Sequence, residues 1–270
     1  MKKLFVIALA FLATTAAFAQ KDTTASNPVP TPSMMSNTVI EKPAKAPIAK
    51  QAPKDWSKVS LANRANDHLM VQLGYTAWLG KPDTVHTTGF SRTFNIYFLF
   101  DFPFKTDPRL SIGAGLGLGV DNIFFDKMTP TVSSTSNQTL AFPDLSGSNH
   151  FKKNKLVTTY LEAPIELRFA TDPEHTNSCW KFAAGIKVGE MLSAYTKGKT
   201  LQNNGDQTIS NSIEKESSKQ YFNSTRLSGT LRVSKGFIGV FGQIQATPLI
   251  KSGEGASIFP FTAGIVISGL

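Results

Sequence analysis

The chain has 270 residues, of which 41% are hydrophobic and 17% charged, with 20 glycines and 20 phenylalanines. This composition excludes a disordered protein, a collagen and a coiled coil. The single cysteine, Cys179, excludes an intramolecular disulfide and a cysteine-rich metal centre. The net charge of +9 is typical of a nucleic-acid-binding protein, but residues 67–270 carry only +3 of it, so no nucleic-acid partner is expected.

Residues 1–19 have the pattern of a secretory signal peptide. Met1, Lys2 and Lys3 form a positive start, Leu4–Leu12 an apolar core, and Ala17-Phe18-Ala19 a site with small residues two apart. The apolar run is too short for a membrane anchor, and no cysteine follows that could carry a lipid. We therefore expect export, with cleavage after Ala19.

Residues 20–66 form a segment rich in proline and lysine, with little to bury. Proline removes backbone donors and favours an extended chain. The sequence therefore predicts a semi-extended periplasmic linker, disordered in itself.

Between residues 67 and 270, apolar and polar residues alternate repeatedly with a period of two, which is typical of strands. Eight such segments are expected, and the clear ones are about ten residues long, which exceeds the usual strand of a soluble protein. They cover residues 69–77, 93–102, 110–120, 157–169, 180–189, 226–233, 238–245 and 261–268.

Alternation alone does not decide which face is inside, because a soluble lipocalin-like barrel also alternates. Strands of this length can cross hydrocarbon when tilted, and the polar face is rich in glycine, which suits a narrow barrel interior. The apolar face ends in aromatic residues at both rims, Phe102, Phe169 and Trp180 at one and Tyr75, Phe94 and Phe124 at the other. The predicted fold is all-β: an eight-stranded antiparallel up-and-down transmembrane β-barrel with a disordered N-terminal extension.

The connections alternate in length, as they do in outer-membrane barrels, which keep short turns on the periplasmic side. Short turns are expected at 106–108, 171–179 and 235–236, and longer loops at 80–89, 127–154, 196–219 and 249–257. The loops 127–154 and 196–219 are rich in serine, threonine and asparagine. Two interpretations stay open: they are merely solvated and variable, or they contact an envelope or extracellular protein. Neither 133–138 nor 203–212 is expected to add strand pairing.

Two hairpins allow specific predictions of register. A symmetric hairpin of the fourth and fifth predicted strands, with facing residues whose numbers sum to 349, would set Glu162 opposite Lys187. The short turn after Lys105 would set Leu99 opposite Gly115 and Tyr97 opposite Gly117, so that the aromatic ring covers the glycine.

The lysine-led signal, the proline-rich spacer and the eight strands resemble the small outer-membrane β-barrels of the PorT type, OmpX-like barrels of Bacteroidota. The segment 160–169, YLEAPIELRF, is similar to that family's YLE-P-L-RF strand, and the resemblance spans residues 67–270. One departure is Leu270, which ends the chain on the polar phase, whereas such barrels often end in a lipid-facing aromatic residue. The resemblance implies residence in the outer membrane and a role beside secretion machinery.

Charged residues on the predicted inner face are the candidate site residues. Glu162 and Glu166 share a face, as the paired carboxylates of a hydrolase would. Cations are predicted on the same wall, and buried charges need partners, so the favoured interpretation is a structural ion network in the barrel interior. Its predicted members are Asp101, Glu162, Glu166, Arg168, Lys181, Lys187, Arg226 and Arg232.

No catalytic, cofactor-binding or metal-binding residue is predicted. The run Gly113-x-Gly115-x-Gly117-x-Gly119 keeps a period of two and precedes no helix, unlike a phosphate loop. The four histidines are scattered, without the spacing of a metal site or a triad. We therefore expect no enzyme, but a monomeric barrel in contact with outer-membrane lipid that serves envelope structure or binds through its loops. The alternative is a lipid-modifying enzyme of the eight-stranded type, and a diffusion pore is disfavoured because side chains fill so narrow a barrel.

Overall fold

A computed structural model describes residue 55 and residues 68–88, 90–132 and 139–269, so the predicted signal peptide and nearly all of the predicted linker lie outside it. The described residues form strands and irregular connections, without a helix. The strands are β1 (Leu69–Leu79), β2 (Arg92–Pro103), β3 (Leu110–Phe125), β4 (His150–Ala170), β5 (Trp180–Gln202), β6 (Thr208–Ser217), β7 (Thr225–Lys235), β8 (Ile238–Gln245) and β9 (Phe259–Ser268). No helix among these residues is long and apolar enough to cross a bilayer.

Eight of the nine strands close into a ring. Neighbouring strands pair antiparallel in the order β4-β3-β2-β1-β9-β8-β7-β5, and β4 pairs with β5 to complete the circle. β1 and β9 form the closing seam, from Met70 opposite Ser268 to Leu79 opposite Phe259. The predicted all-β, eight-stranded up-and-down barrel is confirmed, and β6 lies outside the ring as an addition to β5.

The two faces of the wall differ in chemistry as the alternation predicts. Outward positions of the strands carry large apolar side chains that remain exposed, among them Phe98, Leu116, Ile165, Leu231 and Val240. Inward positions carry buried polar and charged side chains. In water such a wall would be very unfavourable, whereas in a bilayer it matches the hydrocarbon, and closure satisfies every strand edge of the ring.

The predicted register is confirmed in one hairpin and wrong in the other. Tyr97 pairs with Gly117 and Leu99 with Gly115, as expected. Glu162, however, pairs with Gly189, and Lys187 pairs with Pro164. The turn between β4 and β5 is centred one residue later than predicted, which moves the facing residue by two positions. A shift of two preserves the face, so Glu162 and Lys187 still both point inward and are buried.

The prediction of an irregular loop at 196–219 is wrong, because this segment forms a β-hairpin. β5 continues to Gln202 and β6 returns beside it, with Lys197 opposite Lys215 and Leu201 opposite Ser210. Within the segment 203–212, residues 208–212 therefore do contribute strand pairing, and residues 133–138 lie outside the described part of the chain. The loop expected at 127–154 is shorter, since β4 begins at His150. Beyond the hydrocarbon a strand needs no apolar face, so the alternation that identifies the other strands is missing here.

The mouth of the barrel at the end with the longer connections is closed by an apolar cluster, which we call the mouth cluster. Val85, Met128, Leu140, Tyr221 and Ile250 from the connections pack onto upper inward residues of the strands. Its other members include Trp78, Ile123, Phe125, Val132, Leu156, Tyr160, Met191, Ala194, Phe222, Leu249 and Ile258. The long loops are thus held by burial of apolar side chains, whereas the sequence predicts solvated ones.

A second, smaller cluster fills the interior towards the end that carries the short turns. It consists of Met70, Tyr97, Leu99, Phe241 and Val266, all buried. Buried polar and charged side chains occupy the remaining inward positions. A cavity beneath the mouth cluster, bordered by Trp78 and Asp121, has a volume of about 10 Å³, which is about the space of one water molecule.

Candidate functional site

Glu162 is the centre of the interior polar network. Its carboxylate accepts hydrogen bonds from Arg226, with Nε to Oε1 at 2.8 Å, and from the Tyr97 hydroxyl. Lys187 Nζ lies 4.0 Å from Oε2 and donates to the Tyr97 hydroxyl at 2.9 Å. Arg226 Nη1 also binds Asp121 Oδ2 at 2.5 Å. Buried charges of both signs thus compensate one another across four strands of the wall, and the Tyr97 hydroxyl joins β2 to them.

A second group of charges lies nearer the short turns. Glu166 Oε2 accepts from Arg232 Nη2 at 2.8 Å and from Arg168 Nε at 3.1 Å. Arg168 Nη1 reaches Asp101 Oδ1 at 3.4 Å, and Ser111 donates to the same oxygen at 2.7 Å. Each arginine therefore joins β4 to another strand of the ring.

All eight predicted interior residues point inward, and seven of them form ion pairs with one another or with Asp121. The eighth, Lys181, is buried on the same wall. Asp121 and Tyr97 are missing from the predicted set, although both occupy inward positions of their strands. Because Glu162 and Glu166 are each held by cations, the arrangement neutralises charge and braces the wall, and neither carboxylate stands free as a base.

Three glycines of β3 make room for these bulky groups. A Cβ on Gly113 would overlap the Arg168 guanidinium, and one on Gly117 would meet the Tyr97 ring. A Cβ on Gly119 would lie 2.8 Å from Glu162 Oε2 and 2.9 Å from Arg226 Nη2. The glycines therefore leave the space that these bulky side chains occupy inside the barrel. The run lies within strand β3, as the period of two predicts.

The turn between β4 and β5 gathers three groups able to bind a cation. Ligand atoms of Asp172, Glu174 and His175 lie within 4.8 Å of one another. The Asp172 carboxylate already accepts from the Glu174 backbone N–H at 2.9 Å and lies 3.1 Å from His175 Nδ1. These local bonds are those of an ordinary Asx turn.

A polar latch joins the hairpin tip to the connection that follows β3. Asp206, at the tip, lies 2.9 Å from Lys127 Nζ and 3.0 Å from His150 Nε2. The hydrogen bond from Lys127, and to a smaller extent that from His150, holds the pKa of the Asp206 carboxyl below its ordinary value. Asp206 has a positive φ of 62°, which asparagine also tolerates.

We predict that the latch holds the hairpin tip at neutral pH and opens in acid. A carboxyl whose pKa is lowered by folding stabilises the folded state above its ordinary pKa, and this contribution disappears as the pH falls through the lowered value. Hydrogen exchange of residues 203–207, corrected for intrinsic rates, should therefore accelerate only below the ordinary aspartate range. Asp206→Asn should show the fast exchange already at neutral pH, whereas Asp144→Asn, which neutralises a carboxylate that accepts a local bond from the Ser146 backbone N–H, should not. Equal exchange in wild type and Asp206→Asn would contradict the latch.

The upper part of β5 together with β6 forms a hairpin that extends beyond the ring, and we call it the extended hairpin. β6 pairs with β5 along one edge, and the strand order ends at β6, so its other edge has no partner strand among the described residues. Ile209 and Ile213 on it are 53% and 58% exposed. The base of the hairpin follows a β-bulge, because Thr159 pairs with Ser193 and Tyr160 with Met191, which leaves Leu192 as the extra residue.

A closed antiparallel ring with an apolar outer wall and a charged, filled interior defines a small transmembrane β-barrel. The chain matches the model of the outer membrane protein beta-barrel domain over residues 61–242, which is about two thirds of its length. It therefore belongs to the outer membrane protein beta-barrel domain family, and its place is the outer membrane. No match was found among curated proteins.

Proposed function

We propose that the chain is a non-enzymatic outer-membrane barrel that presents the extended hairpin as a docking element for another envelope protein. The observation that carries this proposal is the outer edge of β6, which pairs with no strand among the described residues. An exposed strand edge offers a row of backbone donors and acceptors to which an extended segment of a partner can add.

The composition of β6 favours such pairing over part of its length. Residues 208–213, TISNSI, carry no charge, whereas Glu214, Lys215 and Glu216 follow directly. Charged residues discourage unspecific pairing at a strand edge, so the uncharged half towards the tip is the docking segment. Ile209 and Ile213 supply apolar side chains for a partner to cover.

The barrel beneath the hairpin supports this role as a rigid base. Its interior is filled by the two apolar clusters and the polar network, and its mouth is closed, so transport through it is disfavoured. The finer parts of the proposal are export by a signal peptide cleaved after Ala19, a monomeric state, and membership of the PorT type. That resemblance makes components of secretion machinery the first partners to test.

The experiment is site-specific photo-cross-linking in intact cells of the native host. A photoreactive residue at Ser210, on β6, should give a discrete cross-linked species, whereas one at Ser252, exposed in the connection between β8 and β9, should not. Ile209→Ser combined with Ile213→Ser should lower the yield about tenfold, the effect of about 1.4 kcal/mol of lost binding.

Barrel assembly serves as the control, measured as heat-modifiable migration, and it should be unchanged because β6 lies outside the ring. Equal cross-linking from Ser210 and Ser252, or a yield that the two serine substitutions do not change, would refute docking through β6.

A further inference from the structure

Four cations lie side by side on the outward wall, at the level of the rim residues Tyr75 and Phe124. We call them the cation row: Arg92 on β2, Lys155 on β4, Lys197 on β5 and Lys215 on β6. Lys155 pairs with Phe124 on one side and with Lys197 on the other, and Lys197 pairs with Lys215.

Aromatic rings and an amide, not carboxylates, hold the row in place. The Arg92 guanidinium lies 5.4 Å and Lys155 Nζ 5.8 Å from the centre of the Phe124 ring. Lys155 Nζ also donates to Asn122 Oδ1 at 2.7 Å, and Lys215 Nζ lies 4.2 Å from the centre of the Tyr195 ring.

The charges of the row repel one another, since Lys155 experiences the positive charges of both Lys197 and Arg92. Among the described residues no carboxylate forms an ion pair with any member of the row. Glu214 and Glu216 flank Lys215 in sequence, but alternate residues of a strand point to the opposite face. The row therefore lacks an anion of its own.

An apolar groove on the outer wall leads up to Arg92. It has a volume of about 490 Å³, and its sides include Leu73, Tyr75, Phe90, Phe94 and Ile265. The groove is deep at Ala263 because its side chain is small. Phe90 is 64% exposed, and its ring packs against that of Tyr75 with 5.4 Å between the ring centres.

A second groove of about 240 Å³ continues from the same two residues, Phe90 and Arg92. Its border is cationic, with Lys152 and Lys153 beside Phe124. The combined surface is therefore apolar at the level of the hydrocarbon and positive at the level of the head groups.

We propose that this surface binds a phosphorylated lipid of the outer leaflet, with an acyl chain in the groove between Tyr75, Phe94 and Ile265 and its phosphate against Arg92 and Lys155. Burial of an acyl chain supplies apolar contact, and arginine and lysine at a membrane surface attract anionic head groups. The site does not include the edge of β6, so a test of lipid binding does not depend on the docking proposed above.

The test uses the full mature chain in phosphatidylcholine nanodiscs, with bisphosphorylated lipid A as the probe. Native mass spectrometry should show one retained lipid A per chain. Arg92→Gln with Lys155→Gln should weaken retention about tenfold or more, since both phosphate contacts are lost. Ala263→Phe, which fills the groove and leaves every charge in place, should weaken it as well. The control, Lys105→Gln with Lys235→Gln, removes two exposed lysines at the opposite rim, one of which also lies over an aromatic ring, and should change nothing.

Two further arms separate a lipid from a bare anion. Lipid A stripped of its phosphates should be retained weakly, and inorganic phosphate should fail to displace the intact lipid. Retention that survives the Arg92 and Lys155 substitutions, or that Ala263→Phe leaves unchanged, would overturn the proposal. Displacement by inorganic phosphate alone would do the same, because the acyl chain would then contribute nothing.

Discussion

Replacing Glu162 by leucine is expected to lower the free energy of unfolding by about 3–5 kcal/mol, the usual effect of removing one partner from a buried ion pair. The substitution leaves Arg226 and Lys187 in the barrel without their shared anion, and it removes the acceptor of the Tyr97 hydroxyl. Urea unfolding in detergent micelles, together with the temperature at which gel migration changes, measures the effect.

Two variants show whether charge or shape is responsible. Glu162→Gln retains the shape and part of the hydrogen bonding, so an intermediate loss is expected. Glu214→Gln removes an exposed carboxylate from β6, outside the ring, and should leave the barrel as stable as the wild type. If Glu162→Leu unfolds at the wild-type urea concentration, the network does not brace the wall.

Adding a single methyl group at Gly117 is expected to prevent correct assembly or to destabilise the barrel strongly. A Cβ at this position would lie 2.7 Å from the Tyr97 Cα and would overlap the carbonyl oxygen of Ile96. Overpacking of this kind costs about 1–3 kcal/mol in ordinary cores, and the backbone atoms of a closed ring have little freedom to move away. Gly117→Ala should therefore give a low folded fraction in refolding trials.

Gly242→Ala is the matched control for this prediction. It introduces the same methyl group into another strand of the ring, where no atom lies within 4 Å of the new Cβ. Refolding should then be normal. Equal folded fractions for the two variants would show that the interior yields around Gly117 and that the glycine is not required there.

The strands of the ring could be predicted because each one obeys a single local rule, the alternation of apolar and polar residues. The register of β2 and β3 also followed, since a short turn fixes it. The turn at 171–179 is longer, and the residues at which pairing begins depend on local bonds such as those of Asp172. The predicted partner of Glu162, Lys187, therefore lies two positions from the observed partner, Gly189.

The extended hairpin and the mouth cluster were missed for different reasons. In β6 neither face is buried, so Ser210, Asn211 and Ser212 carry no alternation. In the mouth cluster, apolar residues such as Val85, Leu140 and Tyr221 occur singly within polar connections, and nothing in their spacing shows that they converge.

The interior network could be predicted in composition but not in its pairs. Period two identifies Glu162, Arg226 and Lys187 as inward residues, whereas Asp121 is missed because it lies one residue beyond the predicted third strand. Which of them meet depends on the stagger between neighbouring strands, a property of the closed barrel that no single segment contains.

The closing seam has a consequence for the order in which this molecule is made. Met70 must meet Ser268, 198 residues further along the chain, so the ring cannot shut while the ribosome or the export machinery still holds the last strand. Until that moment β1 and β9 each expose a bare edge, and pairing so distant in sequence is slow. The barrel therefore passes through an open state before closure, and loss of the final strand alone would leave an open sheet liable to proteolysis.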